Sequence, residues 1–196
     1  MGLIIEGADR LGKTVAAEGI VSLAATRAVK GMIKLNNNED ESSIGVGELP
    51  LPINYRHLSR QNESFDYGSH YGDLISTYAV NDRFHLSSLA YQVGSLSYGN
   101  LRLIESWLGC VGSYTVVLYA TDDEWYRSIL EDEPDYIDSR MEANSIYRQM
   151  ANWRYKFPVH IDEAIVVGPE VGYPTGETLD KILTSWFTLL NAYLDV

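Results

Sequence analysis

Eight consecutive residues, Gly7-Ala8-Asp9-Arg10-Leu11-Gly12-Lys13-Thr14, match the pattern G-x-x-x-x-G-K-S/T without deviation. Glycine at the fixed positions lets the backbone curl until its N–H groups face inward, toward phosphate oxygens. In such a loop Lys13 bridges the β and γ phosphates and the Thr14 hydroxyl ligates Mg²⁺, while the helix that follows adds its favourable dipole. The chemistry implied is binding of a nucleoside triphosphate, which does not yet fix the reaction. A GTPase needs a D-x-x-G downstream of the loop and an N-K-x-D, and the chain has neither. A mechanical ATPase needs an apolar strand ending in paired acids, whereas Tyr78-Ala79-Val80-Asn81-Asp82 is followed by Arg83. An aspartate and an arginine side by side at a strand end put a magnesium-side anion and a cation at one sheet edge. That suits phosphoryl transfer, where catalysis is mostly positioning and neutralisation of charge.

The wider context of these residues resembles a known family. Glu6-Gly7-Ala8-Asp9-Arg10-Leu11-Gly12-Lys13-Thr14 is similar to the E-G-x-D-x-x-G-K-T loop of thymidylate kinases. Asp82-Arg83-Phe84-His85-Leu86-Ser87-Ser88-Leu89-Ala90-Tyr91-Gln92 resembles the family's D-R-Y/F…S-S-x-A-Y-Q stretch, about 70 residues further on and in the right order. Thr115 to Ile129 with Asp138-Ser139-Arg140-Met141-Glu142 looks like its fourth strand, helix and lid. The resemblance is specific in 3–20 and 78–93, looser in 114–150 and absent in 36–72. It implies that residues 7–14 bind the donor nucleotide, Lys13 and Thr14 holding its phosphates and magnesium, and that Asp9 contacts the acceptor sugar. It implies that Arg10 bridges donor and acceptor phosphates from within the loop. Asp82 and Arg83 would organise the magnesium water shell and grip the acceptor phosphate, with Gln92 near the acceptor nucleotide. Arg140 is the lid arginine the resemblance favours, and Arg127 a second.

The departures bear on the substrate. Where thymidylate kinases carry an R-E-P-G-like turn, this chain has Asn36-Asn37-Asn38-Glu39-Asp40-Glu41, which reads as a solvated loop. The base-binding segment is replaced by Tyr55-Arg56-His57-Leu58-Ser59-Arg60. Arg56 and Arg60, four apart, could share a helix face toward an acceptor anion or be ordinary surface cations. Phe65, Tyr67 and Tyr71 could stack a base or pack in the core. His85 follows the Asp-Arg-Phe motif and could sit near the acceptor. Asp123 and Arg127 form an i, i+4 pair that competes with any lid role for Arg127. The acidic run Glu131-Asp132-Glu133 stands where a basic lid would be expected, which fits Arg10 supplying the catalytic cation from the loop. The four histidines lack zinc spacing. Cys110, flanked by Gly109 and Gly112, reads as a packed small residue.

These residues need an α/β scaffold to bring them together. Strands are expected at 3–5, 32–35, 75–80, 114–120 and 164–167, and helices at 14–29, 87–107 (with Gly94 and Gly99 as candidate interruptions), 122–130, 138–156 and 177–194. Regular alternation of this kind implies a five-stranded parallel sheet with helices on both faces, with ligands at the carboxyl ends of the strands. The expected class is a nucleoside monophosphate kinase-like fold in one domain over 1–196, with an acceptor flap at about 36–72 holding at most short helices, and a small lid at about 130–145.

The bulk properties agree. The chain has 196 residues, 45% of them hydrophobic, enough for a core without staples. Its single cysteine forms no internal disulfide and fits a reducing, cytoplasmic setting. No apolar run approaches a membrane span. The net charge of −12 argues against a nucleic-acid partner. Of the basic residues, 10 are Arg and 5 Lys, and Arg is the better bidentate partner for phosphate. The expected activity is an ATP- and Mg²⁺-dependent kinase that converts a deoxypyrimidine monophosphate, such as dTMP or a modified dUMP, to the diphosphate. Two alternatives stay open. One is a kinase acting on a nucleoside hydroxyl or a hydroxymethyl pyrimidine, free or in DNA, as virus-encoded relatives of the family suggest. The other is a nucleotide-binding regulatory protein without turnover. The family's habit and the apolar stretch Leu86 to Leu108 point to a homodimer.

Overall fold

Strands and helices are interspersed along the computed structural model, which describes residues 2–36, 54–57, 79–91 and 98–194. In order they are β1 (Leu3–Gly7), α1 (Lys13–Asn36), β2 (Asn54–His57), β3 (Ala79–Asp82), α2 (His85–Ala90), α3 (Tyr98–Val111), β4 (Tyr114–Ala120) and α4 (Asp123–Ser128). A 3-10 turn (Pro134–Tyr136), α5 (Ile137–Ala151), β5 (Glu163–Val167) and α6 (Gly176–Leu194) complete them.

The strands pair in parallel in the order β2-β3-β1-β4-β5. β1 and β4 are buried at every position, which is why they read as nearly unbroken apolar runs. The chain leaves β1 to build one side of the sheet with β2 and β3, then crosses to build the other with β4 and β5. That reversal opens a crevice at the carboxyl end of β1, where residues 7–14 lie. Register aligns the strand ends on it, with Ile5 opposite Asp82 and Gly7 opposite Leu118.

Helices flank the sheet. α1 packs with α6, and α2 with α5. Across the first pair Arg27 holds Asp180 and Thr184, and Gly19 leaves room for Leu179, whose Cδ1 would lie 2.6 Å from an added Cβ. Trp186, Tyr126 and Tyr147 are the largest fully buried side chains among the described residues. On α5, buried Asn144 donates to the Ala120 carbonyl at 3.0 Å and accepts from its N–H at 2.9 Å. Leaving either group unpaired there would cost about 1–3 kcal/mol, so this one amide locks α5 to the end of β4. Among the described residues no helix is long and apolar enough to cross a membrane.

The parallel sheet between helices is as expected, but five local expectations are corrected. Residues 32–35 lie in α1, which continues to Asn36: Met, Lys and Leu are good helix formers, and a four-residue apolar run does not by itself distinguish helix from strand. The stretch 36–72 contains β2, so Arg56 sits on a strand opposite Asn81 and not on a helix face. Apolar spacing over 87–107 belongs to two helices, α2 and α3. The helix entered at Ile137 ends at Ala151, before Lys156, because Trp153 turns left-handed at φ 57°. Cys110 is exposed on α3, not packed. Gln92, Arg60, Phe65, Tyr67, Tyr71 and the acidic run from Asn37 to Glu41 lie outside the described residues.

Candidate functional site

The loop at the end of β1 owes its path to residues that tolerate unusual backbone. Gly7 has φ 144°, and a Cβ there would lie 2.3 Å from the Leu118 carbonyl oxygen, so only glycine lets β1 leave β4 at this point. Arg10 (φ 62°) and Gly12 (φ 81°) are left-handed, and the first bond of α1 runs from the Ala16 N–H to the Gly12 carbonyl at 2.8 Å. Two tyrosines pin the loop centre: the Asp9 N–H donates to the Tyr91 hydroxyl oxygen, and the Tyr126 hydroxyl donates to the Asp9 carbonyl, both at 2.9 Å. Lys13 folds back into the loop and donates to the Ala8 carbonyl at 2.6 Å. Burial, reinforced by the neighbouring Arg83 cation, brings its ammonium down to about 8 against the pull of Asp9.

β3 delivers the second half of the site. Buried Asp82 accepts from the Thr14 hydroxyl at 2.5 Å. Arg83, left-handed at φ 76°, turns its guanidinium onto Asp9 at 2.6 Å. Lys13 Nζ lies 3.8 Å from the same carboxylate oxygen, and Arg140 Nε of α5 lies 3.3 Å from the other. Three cations thus converge on the Asp9 carboxylate. Nε and Nη1 of Arg83 and Nη1 of Arg140 are buried without a hydrogen-bond partner among the described residues. Buried N–H donors rarely go unpaired; here they lie around one loop and fit an anion seated there.

A third layer covers the loop from the acidic segment. Arg10 Nη2 lies 2.5 Å from Glu133 Oε1 and 2.8 Å from Asp132, and Arg140 Nη2 lies 2.5 Å from Glu133 Oε2. Bonds to Arg10 and then Arg140 hold the Glu133 carboxyl below the usual carboxylate range.

The expected site residues divide accordingly. Gly7, Ala8, Asp9, Arg10, Leu11, Gly12, Lys13, Thr14, Asp82, Arg83 and Arg140 belong to one cluster. Arg127 does not: it is largely exposed and 3.9 Å from Asp138. Nor does Arg127 hold Asp123, which pairs with Arg148 at 2.6 Å. Arg56 belongs to β2, and its side chain lies outside the described ones. His85 is fully buried, with Nε2 2.7 Å from Glu105 and no partner at Nδ1 among the described residues. Sequence reasoning missed the parts played by Glu6, Tyr91, Tyr126 and Glu133. Glu6 and Tyr91 stand within the recognised motifs, so their position was the available signal. Tyr126 carries no local signal, and Glu133 stands in the acidic run 131–133, where no neighbouring residue indicates its pairing with Arg10.

The fold and the loop at its switch point define an α/β architecture in which the strand ends form the ligand crevice. A solved structure shares it over the whole chain. No protein-family model matches this sequence, and no curated protein matches it. The YorR protein of Bacillus subtilis, solved in complex with phosphorylated GDP, is similar with a TM-score of 0.57 at 18% identity, over 100% of this chain and 99% of that one. That likeness establishes a common fold.

Proposed function

We propose that this chain is a magnesium-dependent nucleotide kinase of the thymidylate kinase type. It transfers the γ-phosphoryl group of ATP to the 5′-phosphate of a deoxypyrimidine monophosphate such as dTMP or a modified dUMP. The observation that carries the reading is the set of buried, unpartnered guanidinium N–H groups on Arg83 and Arg140 beside Lys13 and Asp9. They suit an acceptor that already bears a phosphate. The phosphorylated GDP in the YorR structure further supports a nucleotide with several phosphates in this fold.

In this reading Lys13 exchanges the Ala8 carbonyl for donor phosphate oxygens. An acceptor phosphate oxygen, already anionic, attacks the γ-phosphorus as the bond to the ADP oxygen breaks. No general base is required, and Arg83, Arg140 and Arg10 neutralise charge on the transferring group. Thr14 and buried Asp82, with oxygens 2.5 Å apart, supply hard oxygen donors of the kind Mg²⁺ takes directly or through water. Bound magnesium would offset charge on the β and γ oxygens. A hydroxyl acceptor would need a free carboxylate base, and Asp9 is engaged by two guanidinium groups, which weighs against that alternative. The reading includes a cytoplasmic homodimer, with Leu103 and Trp107, exposed one turn apart on α3, as its apolar surface.

The test is a transfer assay with ATP and Mg²⁺ against dTMP, dUMP, 5-hydroxymethyl-dUMP, dCMP, dGMP, thymidine and hydroxymethylated DNA, with Lys13→Ala as control. Turnover of a free pyrimidine monophosphate is expected. Turnover of thymidine or DNA alone would overturn the acceptor assignment, and ATP binding with no transfer would favour a binding protein.

A further inference from the structure

We infer that Glu6 is a positioning residue that sets Arg83 through the backbone of residues 84–87; the inference deepens the kinase reading and rests on it. Glu6 is fully buried in β1, yet its carboxylate is saturated. Oε1 accepts from the N–H groups of Phe84 at 2.8 Å, Leu86 at 3.0 Å and Ser87 at 3.3 Å. Oε2 accepts from the Ser87 hydroxyl at 2.6 Å and the Tyr147 hydroxyl at 3.1 Å, and those hydroxyls lie 2.9 Å apart. Phe84, at the N-cap of α2, has no side chain able to cap it. A carboxylate on another element therefore does the work of an N-cap Ser or Asp.

The consequence falls on the residue just before. The Arg83 N–H donates to the Ile5 carbonyl at 2.9 Å, and the next N–H along the chain is held by Glu6. Both amides that bracket the Arg83 Cα are thereby tied to β1. Between them Arg83 adopts φ 76°, a conformation arginine rarely takes and keeps only where its surroundings impose it. That turn is what aims the guanidinium at Asp9. A neutral glutamine holds the segment less well: its one oxygen meets the three N–H groups without the carboxylate's charge, and its NH₂ turns the Ser87 and Tyr147 hydroxyls into acceptors, so a buried hydroxyl proton loses its partner.

Glu6→Gln and the milder Tyr147→Phe test this in the full chain. For the Glu6→Gln variant, kcat/KM for the acceptor should fall ~10- to 100-fold, the scale of a small misplacement at a reacting group. ATP affinity should fall by less than acceptor turnover, because the Lys13 side of the loop makes none of these bonds and the Glu6 charge is the smallest of the influences on its ammonium. Amide hydrogen exchange should rise in 84–87 and not in 114–120. Tyr147→Phe should show the same pattern more weakly, and it carries the test if Glu6→Gln does not fold. Loss of ATP affinity in step with acceptor turnover would overturn the inference, as would unchanged exchange in 84–87. If the wild-type protein turns over no acceptor, the kinase reading fails by itself, and the exchange comparison still judges whether Glu6 holds this segment.

Discussion

Lys13 shows how a single residue can carry both a binding function and its pH dependence. Its ammonium is fully buried and brought from near 10.5 to about 8 by burial and by Arg83. The sign for stability follows from the depressed value. The fold disfavours the charged form, so the penalty is complete below about 8 and fades as pH rises toward 10.5. In that window the nucleotide-free protein gains stability with pH from this group. Nucleotide phosphates act in the opposite direction, since an anion beside the ammonium favours its protonated form. ATP binding above pH 8 should therefore take up a proton, and affinity should weaken as pH rises through that value. Calorimetry in two buffers of different ionisation enthalpy measures the proton, and Lys13→Ala should abolish it. Equal heats in both buffers for the wild type would contradict this account.

At the level of elements, the acidic segment and α5 meet over the loop through two arginines. Glu133 bridges Arg10 and Arg140. On the proposed kinase reading these guanidinium groups grip phosphate, and Glu133 competes with it. Glu133→Gln should lower KM for a nucleotide substrate by about two- to fivefold at low salt, the scale of partly exposed ion pairs. The difference should close at about 0.5 M NaCl, where such pairs are screened. A raised KM would mean instead that Glu133 pre-positions the arginines. The motifs made the loop and the Asp82-Arg83 strand end legible because both are set by residues adjacent in sequence. The bridge was not legible: Glu131-Asp132-Glu133 read only as a lid of the wrong charge, and nothing local says that it closes on Arg10.

For the molecule as a whole, the net charge is −12. Arg10, Arg83, Arg140 and Lys13 gather at one sheet edge among Asp9, Asp132 and Glu133, so they offer a compact anion a few local contacts and a long polyanion no basic stripe. Long polyanions gain too few contacts to offset the repulsion. Gel retardation of single- or double-stranded DNA should be absent at physiological salt with micromolar protein, while ATP binds under the same conditions. Retardation of either DNA would reopen a polymer substrate.

By itself the sequence determined the strand-loop-helix at 3–20, the acid and arginine at the end of β3, the buried run Tyr114–Ala120 and the α/β alternation. Each is a matter of local spacing, where the next few residues dictate how the backbone curls or pairs. The tertiary structure alone decided that Arg140 meets Asp9, that Glu133 covers Arg10 and that Glu6 holds 84–87. Those meetings depend on β1 lying between β3 and β4, an order that brings distant parts of the chain to one crevice. It also decided that 32–35 is helix and that Arg56 belongs to a strand, because short segments have no strong preference until neighbouring elements pack against them.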